Sequence, residues 1–369
     1  MKILMYSDVH ISRTSSIIPL GDDKKFTYRQ KMIIDTAEFI AKKADELKVD
    51  IIINLGDTFD QHTLTSYDIE TASEFFSKFR YLSIPHLVLV GNHEMINSNY
   101  NAIKLLDNIT NITVIDKPCS VKLNSLFLDN NSLTEEQNMK LAFLPYKDFR
   151  NINELPEGDF LISHNDIQGS ELRKGIQLPD GLTQDQLKQY KIVFNGHIHK
   201  SGIFNNVVNV GSCTSHSFSD DNDFIPKIYV FDTVTLDLQS YKSNICPLFR
   251  AFKIKNLQDL TDILNACNKD YVYIFNIQCP YELKDAVKSV LKDDTAVLNY
   301  KVTTYITEES KSVKIDSKDK LDSLLGNMDI NLDMNVAFKQ FLSNIDLKFP
   351  SDMYLEVLNK GEEVLDNAN

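Results

Sequence analysis

The sequence predicts an α/β fold built on two sheets, and three observations carry that prediction. Short apolar runs with β-branched residues recur from residue 1 to about 242. Between the early runs lie segments whose apolar residues repeat at helical spacing. The later runs, Val207–Val210, Lys227–Phe231 and Leu236–Tyr241, follow one another without helices and are expected to complete the second sheet.

Taken in order, Lys2–Tyr6 is the first strand and runs into Ser7-Asp8-Val9-His10. The loop Ile11–Thr27 mixes Ser, Pro, Gly and charge, and is long enough to be a functional loop. Arg29–Lys48 carries Ile33, Ala37, Ile40, Ala41, Ala44 and Leu47 on one helical face. Asp50–Leu55 is a buried-type strand that Gly56 ends, so Asp57 sits at a strand's carboxyl end with its carboxylate free. Ligands of open α/β sheets bind at that edge. Leu64–Leu82 is a second helix in which Phe75, Phe76 and Phe79 are packing residues. His86–Val90 runs into Gly91-Asn92-His93-Glu94, and Asn101–Asn108 is a short helix. Asp159–Ser163 runs into His164-Asn165-Asp166, Thr183–Tyr190 is another short helix, and Lys191–Asn195 runs into Gly196-His197-Ile198-His199.

One aspartate at a strand tip is an ordinary turn residue. Five strands that each deliver Asp, Asn or His are not, and five of the eight histidines (His10, His93, His164, His197, His199) stand in these places.

Composition bounds the function. At 369 residues the chain can bury a large core and divides into two or three domains. Its 43% hydrophobic and 25% charged residues are those of a globular protein. No apolar run reaches the roughly 20 residues of a membrane helix, and the first residues lack the pattern of a signal peptide. The five cysteines are scattered without CxxC pairing, which suits a reducing cytoplasm. A net charge of −13 argues against broad, non-specific coating of nucleic acid. A local site made positive by bound metal, or a basic partner, remains compatible with it.

Asp, His and the Asn oxygen suit Mn²⁺, Fe²⁺ or Zn²⁺, and the absence of thiolates argues against structural zinc. Two ions need about seven protein ligands with one carboxylate shared, here Asp57; such a pair serves phosphoester hydrolysis.

Asp8-Val9-His10, Gly56-Asp57-Thr58-Phe59-Asp60, Gly91-Asn92-His93-Glu94, His164 and Gly196-His197-Ile198-His199, in this order, resemble the calcineurin-like metallophosphoesterases. Within them the chain is similar to the Mre11/SbcD DNA nucleases, especially the small subunits of bacteriophage recombination endonucleases. The resemblance implies a two-sheet sandwich flanked by helices over 1–244. It implies that Asp8, His10, Asp57 and His199 hold one metal, and that Asp57, Asn92, His164 and His197 hold the other. His93 would be a catalytic non-ligand that stabilises the transition state or protonates the leaving oxygen. The resemblance further implies Mn²⁺ first (Mg²⁺, Fe²⁺ or Zn²⁺ otherwise), DNA as substrate, a homodimer, and a coiled-coil ATPase partner of the Rad50/SbcC type. Asn209-Val210-Gly211-Ser212 resembles the family's segment after the last metal motif, with Cys213 where proline is common.

Two departures bear on the alternative, a phosphatase of phosphoproteins or small phosphoesters. Glu94 stands where the nucleases have Asp, as in protein serine/threonine phosphatases. Those enzymes carry an arginine after the second motif to grip phosphate, whereas Gln61-His62 comes after Asp60 here, and Ile11 replaces their glycine after Asp-x-His. Nuclease is therefore the expected activity, with His62 read as an exposed loop residue. A non-catalytic scaffold is the third reading, and retention of all seven ligands opposes it.

Asn244–Pro247 marks a boundary. Residues 245–307 are expected to form a small α+β domain that caps the DNA, with Lys284, Lys288 and Lys292 as a basic stripe on one helix. A solvated helix face has the same pattern. Residues 308–333 read as a charged linker. In the helical tail, 334–369, Met334, Phe338, Phe341, Leu342 and Ile345 share a face, as do Tyr354, Leu355, Leu358 and Leu365 beyond Ser351. These two helices are the expected contact with the ATPase.

Overall fold

Alternation along the central strands decides the layers. In β1 (Lys2–Tyr6), Ile3 and Met5 enter one buried cluster while Leu4 and Tyr6 enter another. The split repeats in β2 (Ile51–Asn54) and β3 (His86–Leu89): Ile51, Ile53, Leu87 and Leu89 lie on one side, Ile52 and Val88 on the other. Strands apolar on both faces must be covered on both. Helices α1 (Tyr28–Leu47) and α2 (Ser66–Ser77) cover one face with Ile33, Ala37, Ile40, Phe75 and Phe76. A second sheet covers the other with Phe143, Phe160, Ile162 and Phe194. Its own outer face packs on Leu182, Leu187 and Tyr190 around α3 (Gln184–Leu187). The result is a four-layer α/β/β/α sandwich.

This computed structural model describes residues 1–13, 18–21, 25–97, 100–108, 112–123, 139–147, 154–219 and 222–306. The expected linker, 308–333, and the expected partner-binding helices, 334–369, lie outside the described residues.

After β3 come a ribbon of β4 (Met95–Asn97) and β5 (Tyr100–Asn101), a 3-10 helix over Ala102–Asn108 where a short helix is expected, and β6 (Ile112–Ile115). The second sheet is built from β7 (Cys119–Lys122), β8 (Lys140–Leu144), β9 (Phe160–Ser163), β12 (Ile192–Asn195), β13 (Gly202–Phe204) and β14 (Val207–Asn209). A ribbon of β10 (Glu171–Arg173) and β11 (Ile176–Gln177) interrupts the run between β9 and α3. β15 (Lys227–Asp232) and β16 (Leu238–Lys242) correct the sequence reading. They join the first sheet, which runs β16-β15-β1-β2-β3-β6. β1 pairs with β2 along one edge only, and β15 closes the other, antiparallel, with Leu4 opposite Val230. An open, wholly apolar edge on β1 would otherwise be a template for misassembly.

β17 (Leu248–Lys253), α4 (Leu257–Ala266), β18 (Tyr273–Pro280), α5 (Lys284–Asp293) and β19 (Val297–Tyr305) make a third sheet. A helix crosses over between successive strands, so all three run parallel. Leu260, Val287 and Leu291 of the helices pack on Phe275 and Ile277. From the opposite face Phe249 and Ile274 meet Cys246, Ile18 and Met32, the last on α1.

Parallel pairing aligns the strand ends. Tyr6 lies opposite Asn54 and Asn54 opposite Val88, while Ser163 lies opposite Asn195 in the other sheet. β1, β2, β3, β9 and β12 therefore all deliver their carboxyl ends to one edge of the sandwich.

Candidate metal centre

Pairing continues past the strands and fixes the loops. Asp8 N–H donates to the Gly56 carbonyl and His10 N–H to the Asp57 carbonyl, each at 3.0 Å, and Ile11 N–H to Thr58 at 2.7 Å. Within these loops Asp8, His10 and Asp57 take positive φ (54°, 49°, 50°), as does His197 (67°). Such backbone costs about 1–3 kcal/mol per non-glycine residue and persists where the surrounding structure fixes it, here through the hydrogen bonds between the loops. The turns also need missing side chains. A Cβ on Gly56 (φ 113°) would lie 2.5 Å from His164 Nδ1, and one on Gly91 would collide with Asp57 Oδ1.

Two groups of ligand atoms result, with Asp57 between them. In the first, His10 Nε2 lies 3.2 Å from His199 Nε2, 3.8 Å from Asp57 Oδ2 and 3.9 Å from Asp8 Oδ1. In the second, His164 Nε2 lies 3.2 Å from Asp57 Oδ2 and 3.1 Å from Asn92 Oδ1, and His197 Nδ1 lies 2.9 Å from the same Asn92 oxygen. Asp8 and His164 are fully buried; Asp57 and His10 are 2% exposed. All seven sequence-predicted ligands converge here.

The chemistry of these atoms fits divalent cations. The Leu55 carbonyl, 2.7 Å from His164 Nδ1, can only accept, so that nitrogen carries the ring's proton when neutral. Asp166 Oδ1, 3.0 Å from His197 Nε2, fixes that ring the same way. His164 Nε2, His197 Nδ1, Asn92 Oδ1 and Asp57 Oδ2 then face one another as acceptors with no hydrogen between them. Neither carboxylate oxygen of the buried Asp8 has a hydrogen-bond partner among the described residues. Ligands held at about 2.0–2.2 Å on one ion stand about 3–3.5 Å apart, close to the spacing seen. Without an ion, a proton stands in. Burial works against charging His164, but the Asp57 carboxylate outweighs it and lifts the pKa to about 9. Burial likewise opposes ionising Asp57, and His164, His10 and His93 outweigh it, holding the carboxyl well below its usual range.

Several motif residues have supporting roles that the sequence does not reveal. His10 Nδ1 lies 3.4 Å from Asp60 Oδ1, and Asp166 orients His197; carboxylates behind ligating histidines are a recurrent device. Glu94 is a brace. Fully buried, it accepts Phe59 N–H at 2.9 Å and Gly91 N–H at 2.6 Å, joining the loop of Asp57 to that of Asn92. Burial first, and then the Asp57 charge, push its pKa up to about 8, while the two N–H groups pull it back. Its departure from the nuclease pattern thus touches loop support and none of the seven predicted ligands. Above pH 8, where Glu94 is ionised, Glu94→Gln turns one acceptor into a donor facing an N–H. A loss of about 1–3 kcal/mol is expected in urea unfolding of the metal-free protein; an unchanged midpoint would remove the brace.

His93 stands beside the first group. Its backbone N–H donates to Asp57 Oδ1 at 3.0 Å, and Nδ1 lies 2.6 Å from the Asp60 carbonyl. The ring meets that of His10 edge-on, centroids 4.6 Å apart. His62 is exposed on the loop before α2. Lys284, Lys288 and Lys292 follow one another along α5, whose buried side chains are Val287 and Leu291; none of the three belongs to a ligand group.

Residues 1–201 match the calcineurin-like phosphoesterase family. The chain is 29% identical over 195 residues to exonuclease subunit 1 of Enterobacteria phage T4, covering 50% of this chain and 53% of that one, so it spans about half the length of this relative. By structure it is similar to TT1561 of Thermus thermophilus, with 10% identity over 65% of this chain and 98% of that chain and a TM-score of 0.38. It is also similar to Yfce, a phosphoesterase from E. coli, with 11% identity over 65% of this chain and 98% of that chain and a TM-score of 0.30. No helix among the described residues is long and apolar enough to cross a membrane. With the family spanning more than half its residues, the chain belongs to the calcineurin-like phosphoesterases, metal-dependent hydrolases of phosphoesters.

Proposed function

We propose that this protein is a nuclease subunit of the Mre11/SbcD kind, hydrolysing DNA phosphodiesters with two divalent ions, Mn²⁺ foremost, beneath a Rad50/SbcC-like ATPase. The observation that carries the reading is the pair of ligand groups sharing Asp57 Oδ2, with His93 beside them. Asp8, His10, Asp57 and His199 would hold one ion, and Asp57, Asn92, His164 and His197 the other. Bound there, the pair supplies an activated water and charge neutralisation for in-line displacement. The chain's own contribution is positional. His93 Nδ1–H donates to the Asp60 carbonyl, which orients the ring; with a second proton on Nε2, as the imidazolium, the ring would give that proton to the leaving oxygen. Beside the histidines Asp166 pairs with His197 and Glu171 with Lys200, and further cationic help from Lys284, Lys288 and Lys292 of α5 or from the partner is part of the reading.

The residues after Asp60 favour nuclease over phosphatase: Gln61 and His62, both exposed, occupy the place of the phosphatase arginine. The similarity to a protein named exonuclease subunit 1 points the same way. With Mn²⁺, the protein is expected to hydrolyse bis(p-nitrophenyl) phosphate, and to degrade duplex DNA at least about a hundredfold faster than it dephosphorylates a phosphopeptide. The reverse preference would establish the phosphatase. A chain ending at Thr307 is expected to keep the small-substrate activity and to lose co-purification with the ATPase. Undiminished binding by the shortened chain would place the partner site elsewhere.

A further inference from the structure

A fourth imidazole lies against the first ligand group. The His216 ring centroid is 4.5 Å from that of His10 and 4.7 Å from that of His199. Its ring nitrogens are nevertheless engaged elsewhere. Nδ1 lies 3.2 Å from a guanidinium nitrogen of Arg29, which can only donate, so Nδ1 accepts and holds no proton. The neutral ring then carries its hydrogen on Nε2, within 2.8 Å of Ser212 Oγ and 3.2 Å of both the Asp8 carbonyl and Thr214 Oγ1. A ring with one nitrogen capped by arginine and the other protonated has no lone pair for a metal.

What these groups do hold is backbone. All three carbonyls of Asp8-Val9-His10 accept from side chains. Ser212 Oγ donates to Asp8 at 2.7 Å, Thr214 Oγ1 to Val9 at 3.0 Å, and Arg29 to His10 at 3.1 Å. Arg29 is 4% exposed, and it also donates to the Ser215 carbonyl at 2.8 Å and to Ser12 Oγ at 3.3 Å. The guanidinium fork therefore ties α1 to the 212–216 segment with the ligand loop between them. The gripped stretch includes the two residues, Asp8 and His10, whose backbone is left-handed. A buried cation beside a centre for divalent ions is electrostatically adverse, so its presence calls for a compensating role.

We infer that Arg29 and His216 are positioning residues, a clamp on the carbonyls of the Asp8–His10 loop that sets how tightly the ion on the Asp8, His10 and His199 side is held. The inference rests on the two-ion reading above. Lysine keeps the charge of Arg29 and cannot span its acceptors, so a purely electrostatic role and a clamp are separable.

The test is calorimetric titration of the metal-free full chain with Mn²⁺. Wild type is expected to bind two ions. In Arg29→Lys, and independently in His216→Gln, one of the two sites is expected to weaken about 10–100-fold, the usual effect of losing a group behind a ligand, with the other within about threefold. The weakened site is assigned by a second substitution. Adding Arg29→Lys to Asp8→Asn should change nothing further, whereas adding it to Asn92→Ala should weaken the remaining ion. Far-ultraviolet circular dichroism of the metal-free variants checks that they are folded; if one is not, the other decides. Two sites of unchanged affinity in folded variants would overturn the clamp and leave the metal centre standing, as would equal weakening of both. A wild-type chain that binds fewer than two ions would sink both the clamp and the reading beneath it.

Discussion

Asp57→Asn is expected to lower Mn²⁺-dependent hydrolysis by at least about four orders of magnitude, roughly 5.4 kcal/mol of transition-state stabilisation at 1.36 kcal/mol per decade. Asparagine keeps the volume of a side chain that is 2% exposed, so no cavity is created. What changes is the charge on Oδ2, the atom 3.2 Å from His164 Nε2 and 3.8 Å from His10 Nε2. Both ligand groups lose the same carboxylate, and the metal content of the purified protein should fall from two ions per chain to one or fewer. The metal-free protein should weaken as well. Breaking a buried ion pair costs about 3–5 kcal/mol when the survivor stays charged, but His164 can release its proton, so a smaller loss is expected. The measurements are turnover of bis(p-nitrophenyl) phosphate together with metal analysis. Two bound ions with activity within tenfold of wild type would end the case for Asp57 as the shared ligand.

His93→Ala is expected to cost about two to four orders of magnitude in rate, the usual worth of a general acid or a charge-stabilising donor. In this variant the metal content should stay near two per chain. The separation between the two outcomes comes from geometry. The contact between His93 and the Asp57 carboxylate runs through the backbone N–H, which alanine retains, and the imidazole proton on Nδ1 goes to the Asp60 carbonyl. Removing the ring therefore takes away Nε2 without freeing a carboxylate oxygen. The sharper readout is the leaving group. A substrate whose leaving alkoxide is a poor one should suffer more than p-nitrophenolate, which departs without a proton. Collapse of metal occupancy in step with the rate would make His93 a ligand instead.

Much of the site could be read from the chain because its parts sit at strand ends. A run such as Lys191–Asn195 announces both a strand and the edge where Gly196-His197-Ile198-His199 must appear, and Gly56 fixes where Asp57 turns out of the sheet. Burial of the central strands was legible too, since runs such as Ile3-Leu4-Met5-Tyr6 and Ile51-Ile52-Ile53 are apolar at every position. Partners that act across sequence were not. Nothing in Thr27-Tyr28-Arg29 distinguishes a buried guanidinium from a solvated one, and its acceptors at His10, Ser215 and His216 lie in segments that only tertiary folding joins. Asp166 was visible as a polar residue at a strand end, but its pairing with His197 depends on the parallel register of β9 and β12. The placement of β15 and β16 failed for a related reason. Local pattern shows that a strand exists and says little about which of two open edges it will close.

The position of β1 in the first sheet has a consequence for biosynthesis. Its antiparallel neighbour β15 spans Lys227–Asp232, and its ligand Asp8 meets His199 across 191 residues of sequence. During synthesis at about 5–20 residues per second, β1 and β2 therefore exist for roughly 10–40 seconds before β15 has been made. Through that interval one edge of the founding strand has no partner, and for most of it the first ligand group is missing His199. Contacts so distant in sequence are also the slowest to close. The growing chain thus cannot assemble its hydrolytic centre early, and the phosphoesterase would stay inert on the ribosome until the whole sandwich can shut.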